Sequence, residues 1–324
     1  MQKTNRLALA VLALLGTTTA AFAQSSVTLY GRVNTTVERQ EVGDAKTTGL
    51  FNNSSRFGFK GTEDLGGGLK AGFQLESGFN SDTGASSGAF FGRQSEVNLS
   101  GGFGAVRLGN FTPESYYATA DYVSMHNHDT GNSSDAFYAY VMPSANKIAY
   151  RTPSFGGLTV DAAVALHEQV TGGKNAFDLA VNYNLGALAL GAGYSKLGDV
   201  NQFAGRALYT FGAFTVGGYI QRDEDAFRAN GGKRNTFRLA GAYNLGASEF
   251  HVNVGRAGEY KNINDSDATQ YTVGYNYNLS KRTKVYGYYT RINNSRAGTY
   301  GLNQSVVGAG VDSNTLAVGI RHNF

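Results

Sequence analysis

Past its N-terminal segment the chain repeats one pattern: a run of alternating apolar and polar residues, then a turn rich in Gly, Asn, Ser or Asp. In Phe177-Asp178-Leu179-Ala180-Val181-Asn182-Tyr183-Asn184-Leu185 every odd position is large and apolar, and every even one is small or polar. The same alternation runs through 158–166, 237–245, 271–279 and 316–324. Successive side chains of a strand point to opposite faces, so this period predicts strands with one apolar and one polar face. No stretch beyond the N-terminal segment sustains a helical period. The chain is predicted to be all-β.

A soluble sandwich would give the same alternation, so the turns decide. Short connections fall at 64–68, 101–104, 153–157, 186–187, 212–213, 246–248 and 280–282, and longer, more polar ones such as 80–90, 223–233 and 293–311 lie between them. Alternating short and long connections are expected of an outer-membrane barrel, with tight periplasmic turns and long external loops. Seven short turns joining eight hairpins predict sixteen antiparallel strands, with both termini on the periplasmic side. The bilayer cannot hydrogen-bond backbone N–H and C=O groups, so such strands must close on themselves. The apolar face then meets lipid and the polar face a lumen. Aromatics near strand ends (Tyr183, Tyr209, Phe211, Phe214, Tyr243, Phe250, Phe324) suit interfacial girdles. Eight strands leave an interior that side chains fill, whereas sixteen leave an aqueous channel.

Composition removes other classes. With no Cys there is no disulfide framework, thiolate metal site or Cys nucleophile. The 44 glycines raise the question of disorder, but 12% of residues are aromatic and they sit in periodic positions. The N-terminal segment is of another kind: Lys3 and Arg6 form a basic region, an apolar core follows from Leu7, and Ala21-Phe22-Ala23 fits a cleavage site. The expectation is a cleaved signal peptide over 1–23 and one transmembrane β-barrel domain over 24–324. The protein is expected to be exported.

Several segments then carry a resemblance. Ser26-Val27-Thr28-Leu29-Tyr30-Gly31, Arg56-Phe57-Gly58-Phe59-Lys60-Gly61-Thr62-Glu63-Asp64-Leu65-Gly66-Gly67-Gly68-Leu69, Leu279-Ser280-Lys281-Arg282-Thr283 and the closing Val318-Gly319-Ile320-Arg321-His322-Asn323-Phe324 follow one another in order along the chain. So do Arg93-Gln94, Leu99-Ser100-Gly101 and Leu108-Gly109. Together they resemble the general porins of β-proteobacteria, the neisserial and Bordetella/Burkholderia-like group. The resemblance implies a homotrimer of sixteen-stranded barrels in the Gram-negative outer membrane, among lipids that include lipopolysaccharide. It implies a third loop folded inward as a constriction, and a terminal Phe324 strand read by the barrel-assembly machinery. It also implies that Arg56 and Arg93 lie at the constriction.

The longest connection, 112–146, is the candidate for that loop. It carries Tyr116, Tyr117, Tyr122, Phe137, Tyr138 and Tyr140, enough aromatic surface to predict that it packs on something. Its charges are Glu114, Asp121, Asp129 and Asp135, with no Lys or Arg. The polar phase of the strands is instead rich in cations: Arg32, Arg56, Lys60, Lys70, Arg107, Lys147, Arg151, Arg206, Arg238 and Arg321, against Glu38, Glu76, Glu96, Asp161 and Asp178. A basic wall facing an acidic loop sets a transverse field across the narrowest part. We assign Arg56, Arg93, Glu114, Asp121 and Asp135 to the constriction, and Arg32, Lys60, Arg107 and Arg151 to the basic lumen wall. Arg93 breaks the pattern, because counting back from Val97 and Leu99 gives it the lipid phase; a bulge at the strand start would turn it inward. The alternative for several of the other cations is a place at the rim, binding lipopolysaccharide phosphates.

Other signals are weak. His126-Asn127-His128-Asp129 reads as a polar loop tip rather than a metal site, and His167, His251 and His322 have no repeated spacing to Ser or Asp. No cofactor site, catalytic residues, metal site or nucleic-acid partner is expected. The sequence predicts a passive channel for ions and small hydrophilic solutes, modestly favouring anions. The alternative is a substrate-specific outer-membrane channel, which the loop tyrosines leave open.

Overall fold

A computed structural model of the chain describes residues 26–121, 123 and 131–324. The expected signal peptide lies outside the described residues, as do Tyr122 and the tip from His126 to Asp129. Seventeen strand segments form one closed antiparallel sheet. Two of them, β2 (Ala45–Asn52) and β3 (Arg56–Gly66), are halves of a single barrel strand, so the barrel has sixteen strands as expected. The halves are separated at Asn53-Ser54-Ser55, where Ser54 takes φ 59°. Both halves pair with the long β1 (Ser26–Val42), Ser26 opposite Thr62 and Val42 opposite Ala45. The other edge of β1 pairs with β17 (Ser313–Asn323) from Arg32↔Asn323 to Val42↔Ser313, which closes the barrel. Phe324 finishes this seam: its N–H and C=O bond Gly31 O and N, each at 3.0 Å.

Ser26 and Phe324 share one rim with the short turns, as expected. The opposite rim departs from strict alternation of short and long connections. Gly43-Asp44 and Gly198-Asp199 are two-residue turns there, with φ 56° at Gly43 and 61° at Gly198. A glycine at positive φ lets a tight turn follow the twist of its strands, so a long hairpin takes the place of a loop. β1, at 17 residues, is longer than a tilted bilayer span needs, and the excess forms that hairpin.

Burial is inverted relative to a soluble domain. Val37, Leu239 and Ile220 face outward, each more than half exposed, while Asn34, Thr36, Glu38, Gln202 and Gln270 are buried inside. Hydrocarbon rather than a protein core receives the apolar phase of each strand. Near the short-turn rim the outward aromatics touch in series: Tyr209, Phe211, Phe214, Tyr243, Phe250 and Tyr275, with successive ring centroids 5.9, 5.5, 4.5, 6.3 and 5.2 Å apart. Five of these, Tyr209, Phe211, Phe214, Tyr243 and Phe250, are among the residues expected in an interfacial girdle, and Tyr275 extends the series.

Candidate functional site

The connection from β6 (Gly104–Asn110) to β7 (Lys147–Arg151) turns into the lumen instead of arching over the rim. It begins with a short helix, α1 (Glu114–Thr119), preceded by Pro113. Two glycines on the inward phase of β10 (Leu188–Leu197) receive that helix. A Cβ on Gly191 would lie 1.9 Å from Ala118 O, and one on Gly193 would lie 2.7 Å from Ser115 Cβ. Glycine inside a strand marks a close backbone approach, and here the approaching element is α1. Ser115 N–H donates to Asp178 Oδ2 at 3.0 Å, and Ser115 Oγ lies 2.8 Å from Ser195 Oγ.

The rest of the loop is stitched to the wall by inward polar residues of successive strands. Gln221 receives Ala139 N–H at 2.8 Å and donates to Ala139 O at 3.0 Å. Gln270 does the same with Ala136 N–H and Ser134 O, at 3.0 and 2.8 Å. Arg234, fully buried against Asp223, donates to Phe137 O at 2.8 Å. Each bond satisfies a loop backbone group that the lumen wall would otherwise bury unpaired.

Two of the loop acids expected to line the passage are instead held against the wall. Asp135 accepts from Arg238 Nε and Nη2 at 2.9 and 2.8 Å and from the Tyr219 hydroxyl. Burial pushes its carboxyl up, but Arg238 and the hydrogen bonds from Tyr219 and Phe137 N–H outweigh that and hold it below the usual aspartate range. Glu114 is clamped between Arg107 and Arg151, the latter at 3.1 Å. Its burial outweighs those cations and raises its carboxyl above the usual range. Among the expected loop acids that are described, only Asp121 lines the main lumen cavity.

That cavity, of about 970 Å³, runs between the loop and the opposite wall. Thr112, Tyr116, Tyr117 and Asp121 form the loop side. The wall side carries Arg32, Arg56, Arg93, Lys281, Lys284 and Arg321, with Glu76 and Glu249 the only carboxylates there among the described residues. Six cationic side chains therefore line the cavity against three acids. Glu76 is itself engaged, accepting from Arg93 Nε at 2.6 Å with Arg56 Nε 3.6 Å away. Arg93 also lines a smaller outer cavity of about 390 Å³ with Asn80, Asp82 and Asn303, so it stands where the two meet.

The inward course of Arg93 needs no bulge. β5 (Gln94–Gly101) begins one residue later, so residue 93 precedes the strand and is free of its alternation, and its side chain lies over Gly78. Of the cations assigned to the wall, Arg32 lines the cavity and Lys60 sits 5.4 Å from the Tyr30 ring. Arg107 and Arg151 instead serve as partners of Glu96, Asp161 and Glu114. Sequence reasoning missed Lys281, Lys284 and Glu249. Lys284 shares the inward phase of Tyr286 and Tyr288, both buried, which was a readable signal. It also missed Gly191 and Gly193, whose signal was two glycines on one phase of a strand.

Comparison with known proteins gives a consistent result. Residues 8–297 match the family described as Gram-negative porin. Outer membrane porin protein 32 of Delftia acidovorans is 38% identical, covering 99% of this chain and 100% of the relative. An outer membrane porin protein of Bordetella pertussis is 29% identical over 98% of this chain and 99% of its own length. The solved structure of an anion-selective porin from Comamonas acidovorans superposes with a TM-score of 0.78 at 33% identity, covering 93% of this chain and 100% of that one.

Proposed function

Because this chain belongs to the Gram-negative porins of the outer membrane, we propose that it is a general diffusion channel whose constriction favours anions. The observation that carries the proposal is the excess of cationic side chains among those that line the passage. Six cations against three acids line the main cavity, while Glu114 and Asp135 are held by wall arginines. A low-dielectric wall of one sign concentrates ions of the other sign in the water between. The similarity to a porin described as anion-selective supports the same sign. Arg56 and Arg93 are the residues we assign to setting it, opposite Asp121.

We extend the proposal to a homotrimer. Phe57, Phe59, Phe79, Phe90 and Phe91 cluster outside the barrel around β3, with centroids 4.6 to 6.5 Å apart and Phe90 64% exposed. An apolar cluster of this kind suits contact with a second copy. The terminal strand at Phe324 is the segment we assign to recognition by the barrel-assembly machinery, and lipopolysaccharide is the proposed lipid neighbour. The channel is tested by reconstitution in a planar bilayer and a reversal potential across a KCl gradient. Stepwise conductance with an anion-favouring potential is expected. Steps with cation preference would keep the channel and discard the charge assignment.

A further inference from the structure

The tyrosines of the inward loop do not share one role. Tyr116 and Tyr138 are buried with Tyr219 in an aromatic cluster, the Tyr138 ring lying 5.5 Å from Tyr116 and 5.6 Å from Tyr219. Tyr117 is 38% exposed and lines the main cavity. Its direction follows from the seat of α1. Ser115 and Ala118 face the wall at Gly193 and Gly191, and at 3.6 residues per turn position 117 points away from that wall. The buried Tyr116 backs it, with centroids 5.9 Å apart and rings tilted by 48°. An aromatic face thus stands at the edge of the water on a helix that is held in place.

Across the same cavity stand Arg56 and Arg93. Glu76 positions both, with Arg93 Nε at 2.6 Å and Arg56 Nε at 3.6 Å. A guanidinium carries five N–H donors in a rigid fork, so one bond to Glu76 does not exhaust it, and the fork matches a carboxylate. The passage therefore offers a π-face on one side and carboxylate donors on the other. A halide can use only the donors. An aliphatic carboxylate adds apolar contact with the tyrosine, whereas a flat aromatic one stacks on it as well. The cavity of about 970 Å³ holds such a solute together with water.

We propose that Tyr117 tunes this passage for aromatic carboxylates, the solute's ring lying on Tyr117 while its carboxylate meets Arg56 and Arg93. The proposal rests on the reading of the chain as an anion-favouring channel and names a class of solute for it.

The test titrates the chloride conductance of the reconstituted protein with benzoate and, separately, with cyclohexanecarboxylate. The two have similar size and equal charge at neutral pH, and only benzoate is flat and aromatic. Benzoate is expected to halve the conductance at about fivefold lower concentration. Tyr117→Phe should keep that preference, because the ring and not the hydroxyl carries it. Tyr117→Leu should bring the two concentrations together, and Arg93→Gln should raise both. Equal concentrations in the wild type, a preference that survives in Tyr117→Leu or one that is lost in Tyr117→Phe overturns the assignment. The wild-type comparison decides even where a variant does not fold. An anion-favouring reversal potential with no preference for benzoate sinks this proposal alone. A cation-favouring potential with neither carboxylate reducing the current sinks the anion reading and this proposal with it.

Discussion

The two sides of the lumen use charge in opposite ways. On the side where the loop lies, Arg238, Arg107 and Arg151 face Asp135 and Glu114, and the charges cancel within the wall. On the far side Arg32, Arg56, Arg93, Lys284 and Arg321 face water in the cavity with Glu76 and Glu249 for company. Both sides are rich in arginine, yet one set holds the inward loop and the other lines the cavity, where we propose that it sets the sign of selectivity. Counting charges along a sequence does not separate these roles; which side chains line the cavity does.

The largest effect should come from breaking the loop side. Arg238→Met leaves Asp135 buried with its main cationic partner gone, a defect of about 3–5 kcal/mol. The loop should unseat, giving larger and noisier single-channel conductance and faster proteolysis within 112–146. An unchanged conductance would show that the remaining stitches suffice.

Gly191→Leu attacks the same seat from the wall. Its Cβ alone would overlap Ala118 O, and overpacking of this kind costs about 1–3 kcal/mol. The helix should be pushed toward the cavity, lowering conductance while leaving the sign of selectivity unchanged. A conductance that rises would mean that the helix detaches instead of shifting.

The far side is tested by Arg56→Glu and Arg93→Glu, each of which should move the reversal potential toward cations. A variant whose selectivity stays put removes its arginine from the constriction. The comparison sharpens further with two neutralised acids. Asp121→Asn should strengthen anion preference more than Glu114→Gln, because Glu114 is already screened by two arginines. Equal shifts would show that the field is set by total charge and not by what lines the water.

The smallest effect is in pH. Glu114, raised by burial, should protonate before Asp135 on acidification, shifting selectivity slightly toward anions as pH falls toward the carboxylate range. Asp135 is held low, so its pairing contributes stability that is fully present above the usual aspartate value and lost only as pH falls through the depressed one. Loop proteolysis should therefore stay slow while selectivity is already moving. Loss of both together would place the two acids in one titrating unit.

Strands, turns and girdle were legible in the sequence because each depends on local period and turn chemistry. Phe177 to Leu185 could be assigned faces with no knowledge of their neighbours. Arg93 was harder, since its direction depends on whether the strand starts at 93 or 94, and alternation says nothing about where it begins. The fates of Glu114 and Asp135 were hidden for another reason. The main partner of Asp135 lies on a strand remote in sequence, Arg238 being 103 residues away, and only the closed barrel brings the two together. Those of Glu114, Arg107 and Arg151, sit on the strands flanking the loop, and the inward fold that carries the acid back between them is not written in the strand period. The tight turn at Gly43-Asp44 was missed because the strands on either side run on past the bilayer.

The seat of α1 on Gly191 and Gly193 separates two properties that a passage of this kind must set. How far the helix reaches across the opening depends on the thickness of the wall behind it, at atoms no solute touches. Which ions pass depends on side chains across the water. Aperture and charge are thus held by different residues on different strands, and a change behind the helix can alter what fits without altering what is attracted.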